Sequence, residues 1–185
     1  DRKLLMYKLA NQGIKGKMLQ CIRNIYDECN AAVIINGHVS PWFHSNYGVR
    51  QGDSLSPTLF GLFMNDLVLD LNALDLGIPV GDDKICCLLY ADDIALMAES
   101  ENDLQIMLNR VHEWCRKSRM KVNVGKTKVV HYRKSNQKLT DEKFKFGTND
   151  IDIVTKYKYL GLILDEFLNF NTTATVLAES AGRAL

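Results

Sequence analysis

Long apolar runs are missing from this 185-residue sequence, and its cysteines lack the spacing of a disulfide framework or a zinc site. No uninterrupted apolar stretch approaches the roughly 20 residues that a membrane-spanning helix needs, and the first residues show no signal-peptide pattern. The five cysteines are odd in number and form no C-x-x-C pair, which fits a reducing compartment. We therefore expect no membrane partner and an intracellular location, in the nucleus, the cytoplasm or both.

The sequence lacks a large excess of positive or negative charge, since its formal net charge is +1. Its positive charges are nevertheless concentrated in one stretch. Residues 116–145 contain eleven lysines or arginines, opposed only by Asp141 and Glu142. A local basic block in a nearly neutral protein favours a surface that meets polyanions. Taken alone, the block is explained as well by a solvated lysine-rich loop.

The hydrophobic pattern predicts a globular domain in which helices and strands follow a mixed order. Helices are predicted over residues 3–28 with an interruption at Gly13, from the capping hydroxyl of Ser56 and Pro57, after the capping-box pair Ser100 and Asp103, and at the end of the chain. Strands are predicted at 31–36, 38–47, 85–99 (strand, turn, strand), 129–132 and 157–164. This order favours an α+β fold, an antiparallel sheet with helices on one face. On the early hairpin, we expect Trp42 and Phe43 to belong to the core.

Two adjacent carboxylates lie in the sequence Tyr90-Ala91-Asp92-Asp93, between apolar runs at 85–89 and 94–98. Asp is disfavoured in strands, and two neighbouring like charges repel, so a bound cation would offset their repulsion. The cations that suit carboxylate oxygens are Mg²⁺ and Mn²⁺. A solvated hairpin tip is the simpler alternative, and the pair alone does not decide between the two.

A glycine-punctuated loop, residues 48–57, leads into the predicted helix at Ser56. Gly52 would let the backbone approach a flat or anionic ligand closely. Gln51 supplies an amide and Arg50 a guanidinium beside it, and a helix amino terminus favours anions. By itself the pattern indicates a candidate nucleotide or phosphate site.

Four segments, in order, resemble the reverse transcriptases of non-LTR (LINE-like) retrotransposons. Residues 48–67 resemble the template- and nucleotide-contacting segment, 90–93 the catalytic box, 120–128 the lysine-bearing loop and 157–161 the primer-gripping hairpin. Ordered co-occurrence multiplies the evidence of each short motif. The resemblance implies a partial reverse transcriptase domain over 1–168, a polymerase palm with incomplete fingers, and the start of a thumb helix over 169–185.

The resemblance also implies a chemistry, the template-directed transfer of deoxynucleotides to a primer 3′-hydroxyl with two metal ions. Asp92 and Asp93 would be the catalytic residues that hold two Mg²⁺ or Mn²⁺ ions. The implied nucleotide and template contacts are Arg50, Gln51, Gly52, Tyr90, Ala91 and Lys126, and the implied primer contacts are Tyr159, Leu160 and Gly161. For Lys126 a solvent-facing lysine, and for the primer residues ordinary strand packing, are the alternatives.

The implied partners are an RNA template, a DNA primer, deoxynucleoside triphosphates and the rest of a parent polypeptide with fingers, thumb and, in many such enzymes, an endonuclease. Because the sequence opens as if inside a longer chain, we expect an excerpt. The family's third metal-binding carboxylate lies on a strand ahead of Asp1, so the excerpt alone is expected to be inactive. The alternatives are a group II intron-type reverse transcriptase and maturase, or a decayed or domesticated copy that binds nucleic acid without catalysis.

Overall fold

The computed structural model describes residues 1–184, which contain five helices and thirteen short strands. The helices are α1 (Arg2–Asn11), α2 (Gly16–Asp27), α3 (Ser56–Asn72), α4 (Glu101–Ser118) and α5 (Asn171–Ala184). The strands are β1 (Asn30–Ala31), β2 (Ile34–Ile35), β3 (His38–Val39), β4 (Phe43–His44), β5 (Ile78–Val80), β6 (Asp83–Ile85), β7 (Cys87–Tyr90), β8 (Asp93–Leu96), β9 (Lys128–Val129), β10 (Phe144–Phe146), β11 (Asn149–Ile153), β12 (Lys156–Tyr159) and β13 (Leu162–Asp165).

The described residues fall into two compact units. Unit 1 comprises residues 1–99 and 113–120, and unit 2 comprises residues 100–112 and those from 121 onward. Helix α4 therefore contributes its last part to unit 1 and its first part to unit 2. None of the helices within residues 1–184 is both long and apolar enough to cross a membrane.

The core of unit 1 is formed by leucines of α1 and α3, which recur at helical spacing. Leu9, Leu59, Leu67 and Leu71 are almost completely buried, and burying such a side chain contributes about 1.5–3 kcal/mol. The ring of Phe63 in α3 meets the ring of Trp114 edge-on, with centroids 5.9 Å apart. The face of α3 that carries Leu59, Phe63, Leu67 and Leu71 is therefore the face that packs.

A polar cluster lies within the same helical core. Lys8 Nζ is buried and forms an ion pair with Asp66, at 2.8 Å. It also donates hydrogen bonds to the carbonyl of Phe63 and the hydroxyl of Ser118, and Trp114 Nε1 donates to the same carboxylate at 2.9 Å. The cluster joins α1, α3 and the end of α4, because its bonded side chains lie on these three helices. Buried polar groups are tolerated in a core when they have hydrogen-bond partners.

The strands of unit 1 form four antiparallel pairs, β1–β4, β2–β3, β5–β6 and β7–β8. Each strand has two to four residues, and three of the pairs join strands that are consecutive in the sequence. In unit 2, β10, β11 and β9 form a three-stranded sheet in which β11 and β9 run parallel, and β12 pairs with β13. Thr173 of α5 exchanges two hydrogen bonds with the backbone of Ile163 in β13.

The predicted helices and the mixed α and β content agree with the structure, while the sheet differs from the prediction. The interruption at Gly13 separates α1 from α2, and Ser100 Oγ accepts a hydrogen bond from the Asp103 amide as a capping box does. Instead of one antiparallel sheet, the described residues carry six small sheets, five of them antiparallel and one mixed. Short strands joined by tight turns pair locally, so each hairpin closes on itself. The predicted division into a reverse transcriptase domain over 1–168 and a thumb helix over 169–185 stays a prediction. Leu185, the last residue of the second segment, lies outside the described residues.

Two local predictions were wrong. Trp42 and Phe43 do not belong to the core, because they are 72% and 50% exposed. Apolar alternation predicts a strand face but does not say whether another element covers it. Ser56 does not cap α3: the cap position is Leu55, and the Ser56 hydroxyl lies 3.3 Å from the hydroxyl of Tyr26. Pro57 lies in the first turn of α3, but it is the second residue of the helix and not, as was predicted, the first.

Candidate active site

The two carboxylates lie at the tip of the β7–β8 hairpin in unit 1. Tyr90 pairs with Asp93 across the hairpin, so Ala91 and Asp92 form a two-residue turn. Ala91 has φ 50°, a left-handed conformation that costs a residue with a Cβ roughly 1–2 kcal/mol. The turn that contains this strained alanine leaves both neighbouring carboxylates exposed.

Both carboxylates are exposed, and so is the tyrosine that precedes the turn. Asp92 and Asp93 are exposed, and Tyr90 is 65% exposed. Within residues 1–184, no lysine, arginine or histidine forms an ion pair with either carboxylate. The like charges are thus left without an internal counter-charge, which is the condition in which they attract a cation.

The base of this hairpin is anchored to the end of α3. Cys86 is buried, and its thiol donates a hydrogen bond of 3.0 Å to Asn72 Oδ1. Its carbonyl accepts from the amide of Met97 on the other side of the hairpin. Burial, and then the neighbouring Cys86, raise the pKa of the Cys87 thiol to about 12, so this thiol stays neutral. The carboxylate turn therefore extends from a fixed base.

The carboxylate oxygens at the hairpin tip are of a type that suits a hard divalent cation. Carboxylate oxygens are the ligands that Mg²⁺ and Mn²⁺ prefer, and Asp92 and Asp93 supply two such groups at one turn. Residues 1–184 contain no group of three or more histidine, cysteine, aspartate or glutamate side chains arranged to hold a metal ion. The hairpin tip thus presents two carboxylates of the kind that such a cation prefers.

A second aspartate pair occupies the same positions in the neighbouring β5–β6 hairpin. Val80 pairs with Asp83, and Gly81, with φ 63°, forms the turn with Asp82. The layout matches that of the Asp92–Asp93 turn, except that glycine stands in the place of Ala91 and valine in the place of Tyr90. Hairpin geometry alone does not distinguish the two pairs, so this second pair is a matched internal control.

The glycine loop lies in unit 1 ahead of α3, and its backbone uses glycine where the conformation requires it. Gly52 has φ 83°, which L-residues with a side chain rarely adopt. Asp53 Oδ1 accepts a hydrogen bond from the amide of Leu55, which closes the turn into the helix. Gln51 is exposed, so its amide is free to meet a ligand.

Arg50 is engaged by the protein itself. Its Nη2 donates to the carbonyl of Ile25 at 2.6 Å, and its Nε donates to Cys29 Sγ at 3.3 Å. The guanidinium lies 5.8 Å from the ring centre of Tyr26. The hydrogen bond from Arg50 holds the pKa of the Cys29 thiol below its ordinary value. Arg50 thus joins the loop to the end of α2, where an open cavity of about 470 Å³ is lined by Arg2, Cys29, Ser45 and Gln51 among others.

The remaining predicted site residues belong to unit 2, where one contact connects them. Leu160 and Gly161 form the β12–β13 turn with φ 49° and 88°, and Tyr159 pairs with Leu162. The hydroxyl of Tyr157 donates to the carbonyl of Lys126 at 2.9 Å. The lysine-bearing loop is therefore tied to the hairpin that carries the predicted primer contacts, and the Lys126 side chain is exposed.

The structure thus groups the predicted residues by unit. Arg50, Gln51 and Gly52 lie in unit 1 together with the turn at 90–93, and Lys126 with the hairpin at 159–161 lies in unit 2. Sequence reasoning missed Arg2 and Tyr26, which contact the glycine loop or its neighbours. An arginine in a helix and a tyrosine at helical spacing carry no local signal of such long-range contacts.

Comparison with known proteins identifies similar sequences over most of the chain. The family model described as "Reverse transcriptase (RNA-dependent DNA polymerase)" matches residues 2–164. The "Retrovirus-related Pol polyprotein from type-2 retrotransposable element R2DM" of Drosophila melanogaster is 30% identical over 86% of this chain and 15% of that protein. The "RNA-directed DNA polymerase from mobile element jockey" of Drosophila funebris is 30% identical over 95% of this chain and 19% of that protein. The chain thus spans less than a fifth of the length of these two relatives.

Proposed function

Since this chain belongs to the reverse transcriptase (RNA-dependent DNA polymerase) family, we propose that it is part of an RNA-directed DNA polymerase of a non-LTR retrotransposon. The parent enzyme would add deoxynucleotides to a primer 3′-hydroxyl as directed by an RNA template. The observation that carries this proposal is the exposed carboxylate pair Asp92 and Asp93 at the tip of an anchored hairpin, which forms no ion pair within residues 1–184. We propose action inside the cell, in the nucleus or the cytoplasm, where template and primer occur.

In the proposed reaction, Asp92 and Asp93 would hold the divalent cations that the transfer of a deoxynucleotide to the primer end needs. Two Mg²⁺ or Mn²⁺ ions, when bound, would stabilise the charge on the attacking and leaving oxygens. Hydrogen bonds of Cys86 join the base of the hairpin to α3 and close it at Met97, and preorganised charge costs no reorganisation at the moment of reaction. Tyr90 and Ala91, both exposed beside the carboxylates, would lie under the primer end and the nucleotide sugar.

The glycine loop and unit 2 would supply binding and orientation. Gln51 offers an exposed amide, and the backbone at Gly52 carries no side chain to obstruct a flat base pair. Arg50 would act near phosphate, and Lys126 would neutralise negative charge on the triphosphate or give a proton to the leaving pyrophosphate. Tyr159, Leu160 and Gly161 would shape the primer strand through the tight turn of their hairpin.

The test uses the full-length parent polymerase and the two matched aspartate turns. Asp92→Asn and Asp93→Asn are each expected to lower kcat on the order of 10³-fold, equivalent to about 4 kcal/mol, with RNA affinity nearly unchanged because the cations act on the transition state. Asp82→Asn, the equivalent change in the β5–β6 turn, should leave both quantities unchanged. Primer extension and RNA binding are measured for the same preparations.

Two outcomes would overturn the assignment. Equal losses of rate and RNA affinity in Asp92→Asn would mean that the carboxylate acts in binding rather than in the chemical step. A wild-type parent that binds RNA but extends no primer would favour the decayed or domesticated copy over the enzyme.

A further inference from the structure

Arg2 connects three separate segments of unit 1 through their backbone carbonyls. Its Nε donates to the carbonyl of Gly48 at 3.0 Å. Its Nη1 donates to the carbonyl of Tyr26 at 3.0 Å and to that of Ser45. These carbonyls belong to the last turn of α2, the residue after β4 and the first residue of the glycine loop. One side chain on α1 thus holds the entry to the loop.

The ring of Tyr26 extends this connection to the other end of the loop. The guanidinium of Arg2 lies 5.2 Å from the ring centre, and that of Arg50 lies 5.8 Å from it. Such distances bring cation and ring into favourable contact. The Tyr26 hydroxyl lies 3.3 Å from Ser56 Oγ, in the first turn of α3. Tyr26 therefore contacts residues on both sides of Gln51 and Gly52.

We propose that Arg2 is a positioning residue for the loop from Gly48 to Asp53, and that it acts through the Gly48 and Ser45 carbonyls and the ring of Tyr26. The proposal rests on the proposed function, which gives Gln51 and Gly52 the templating base pair. Arg2 itself touches no reacting atom. The planar guanidinium serves carbonyls in different directions at once, which the compact ammonium of lysine does not reproduce.

The first test is kinetic, in the full-length polymerase, with Arg2→Gln, Arg2→Lys and the control Arg23→Gln, an exposed arginine of α2. We expect Arg2→Gln to raise KM for deoxynucleoside triphosphates about 10-fold, with kcat changed by less than about 3-fold, because a loosened loop lowers the population of the binding-competent form. Arg2→Lys should resemble Arg2→Gln, and Arg23→Gln should resemble the wild type. Full recovery of KM in Arg2→Lys would show that charge alone suffices and would overturn the proposal.

The second test does not depend on activity and separates this inference from the proposed function. Amide hydrogen exchange of the full-length protein is compared over residues 44–56 and over the middle of α3. We expect exchange of the Ser45, Asp53 and Ser56 amides, which donate to backbone carbonyls, to be about 10-fold faster in Arg2→Gln, since local opening is set by local contacts. The Leu67 amide should be unchanged.

Unchanged exchange in the loop of Arg2→Gln would overturn the positioning role even if the polymerase is active. Faster exchange in the loop of a protein that extends no primer would support the positioning role while the proposed function fails. If Arg2→Gln accelerates α3 to the same degree, the variant is globally unstable, and Arg2→Lys decides: loop exchange as slow as in the wild type overturns the proposal, and faster exchange confined to the loop supports it.

Discussion

At the scale of single residues, Ala91 is the clearest case of backbone strain at the candidate site. Its φ of 50° is one that glycine adopts freely. We expect Ala91→Gly to raise the free energy of unfolding by about 0.5–1 kcal/mol, the usual gain where the native φ is positive. Ala95→Gly, in the middle of β8, should lower it by a similar amount, since glycine weakens a strand. Urea denaturation of both variants checks the opposite signs; a loss of stability in Ala91→Gly would contradict the assigned strain.

The pKa of the Cys29 thiol gives a second prediction at the scale of single residues. The hydrogen bond from Arg50 lowers the pKa of its thiol, so the folded chain binds this proton less tightly than the unfolded chain does. The resulting stabilisation is full above the ordinary thiol pKa and is lost as pH falls through the lowered value. The difference in ultraviolet thiolate absorbance between wild type and Cys29→Ser should titrate below the usual thiol range. Arg50→Gln should move that titration upward, and an unmoved midpoint would refute the cause.

At the scale of secondary-structure elements, the cluster around Lys8 joins three helices. Lys8 is 9% exposed and its partner Asp66 is 47% exposed, so water remains beside the carboxylate. We expect Lys8→Met to lower the free energy of unfolding by about 2 kcal/mol, less than for a fully buried pair because solvent screens Asp66. Lys84→Met, which breaks the exposed pair with Asp75, should change it by less than about 0.5 kcal/mol. Comparable losses in the two variants, measured by urea denaturation, would argue against the buried cluster.

The same scale explains which parts of the fold the sequence reveals. Helices α1 to α4 follow from apolar residues that recur three or four positions apart, which is a local pattern. The Ser100 cap follows from a pair of residues three positions apart, Ser100 and Asp103. The β5–β6 hairpin was not predicted, because Pro79 and the flanking glycines indicate a loop. The β10–β11 pair and the parallel pairing of β9 with β11 were not predicted either. The parallel pair joins residues 24 apart in the chain, such as Lys128 and Asp152, and no local pattern encodes such a pairing.

The candidate site shows the same limit. The Asp92–Asp93 turn, the glycine conformation at Gly52 and the turn at Gly161 follow from residue type and spacing. The engagement of Arg50 with Ile25 and Cys29 does not, because it joins residues more than twenty positions apart. The equivalence of the Asp82–Asp83 and Asp92–Asp93 turns depends on how each hairpin pairs, which adjacent aspartates alone do not specify. The turns and residue types of the candidate site could therefore be predicted from the sequence, and the long-range contacts around them could not.

At the scale of the whole molecule, the described chain would contribute two carboxylates, Asp92 and Asp93, to the proposed two-metal reaction. A pair of cations needs more oxygen ligands than Asp92 and Asp93 provide to be held in fixed positions. We therefore expect the 185-residue chain alone to show no Mg²⁺-dependent primer extension under conditions in which the parent polymerase is active. Extension by the isolated chain that disappears in Asp92→Ala would contradict this expectation, and Asp82→Ala is the matched control.

The exposed early hairpins have a consequence for handling the chain in isolation. Ile34, Ile35, Trp42 and Tyr47 are all largely exposed, and the strands beside them have only two residues each. Short strands with uncovered apolar side chains and free edges invite pairing with another copy. We therefore expect a higher protein concentration to shorten the time for which a preparation of this chain stays dispersed. Charged substitutions at Ile34 or Trp42 are the simplest way to extend that time.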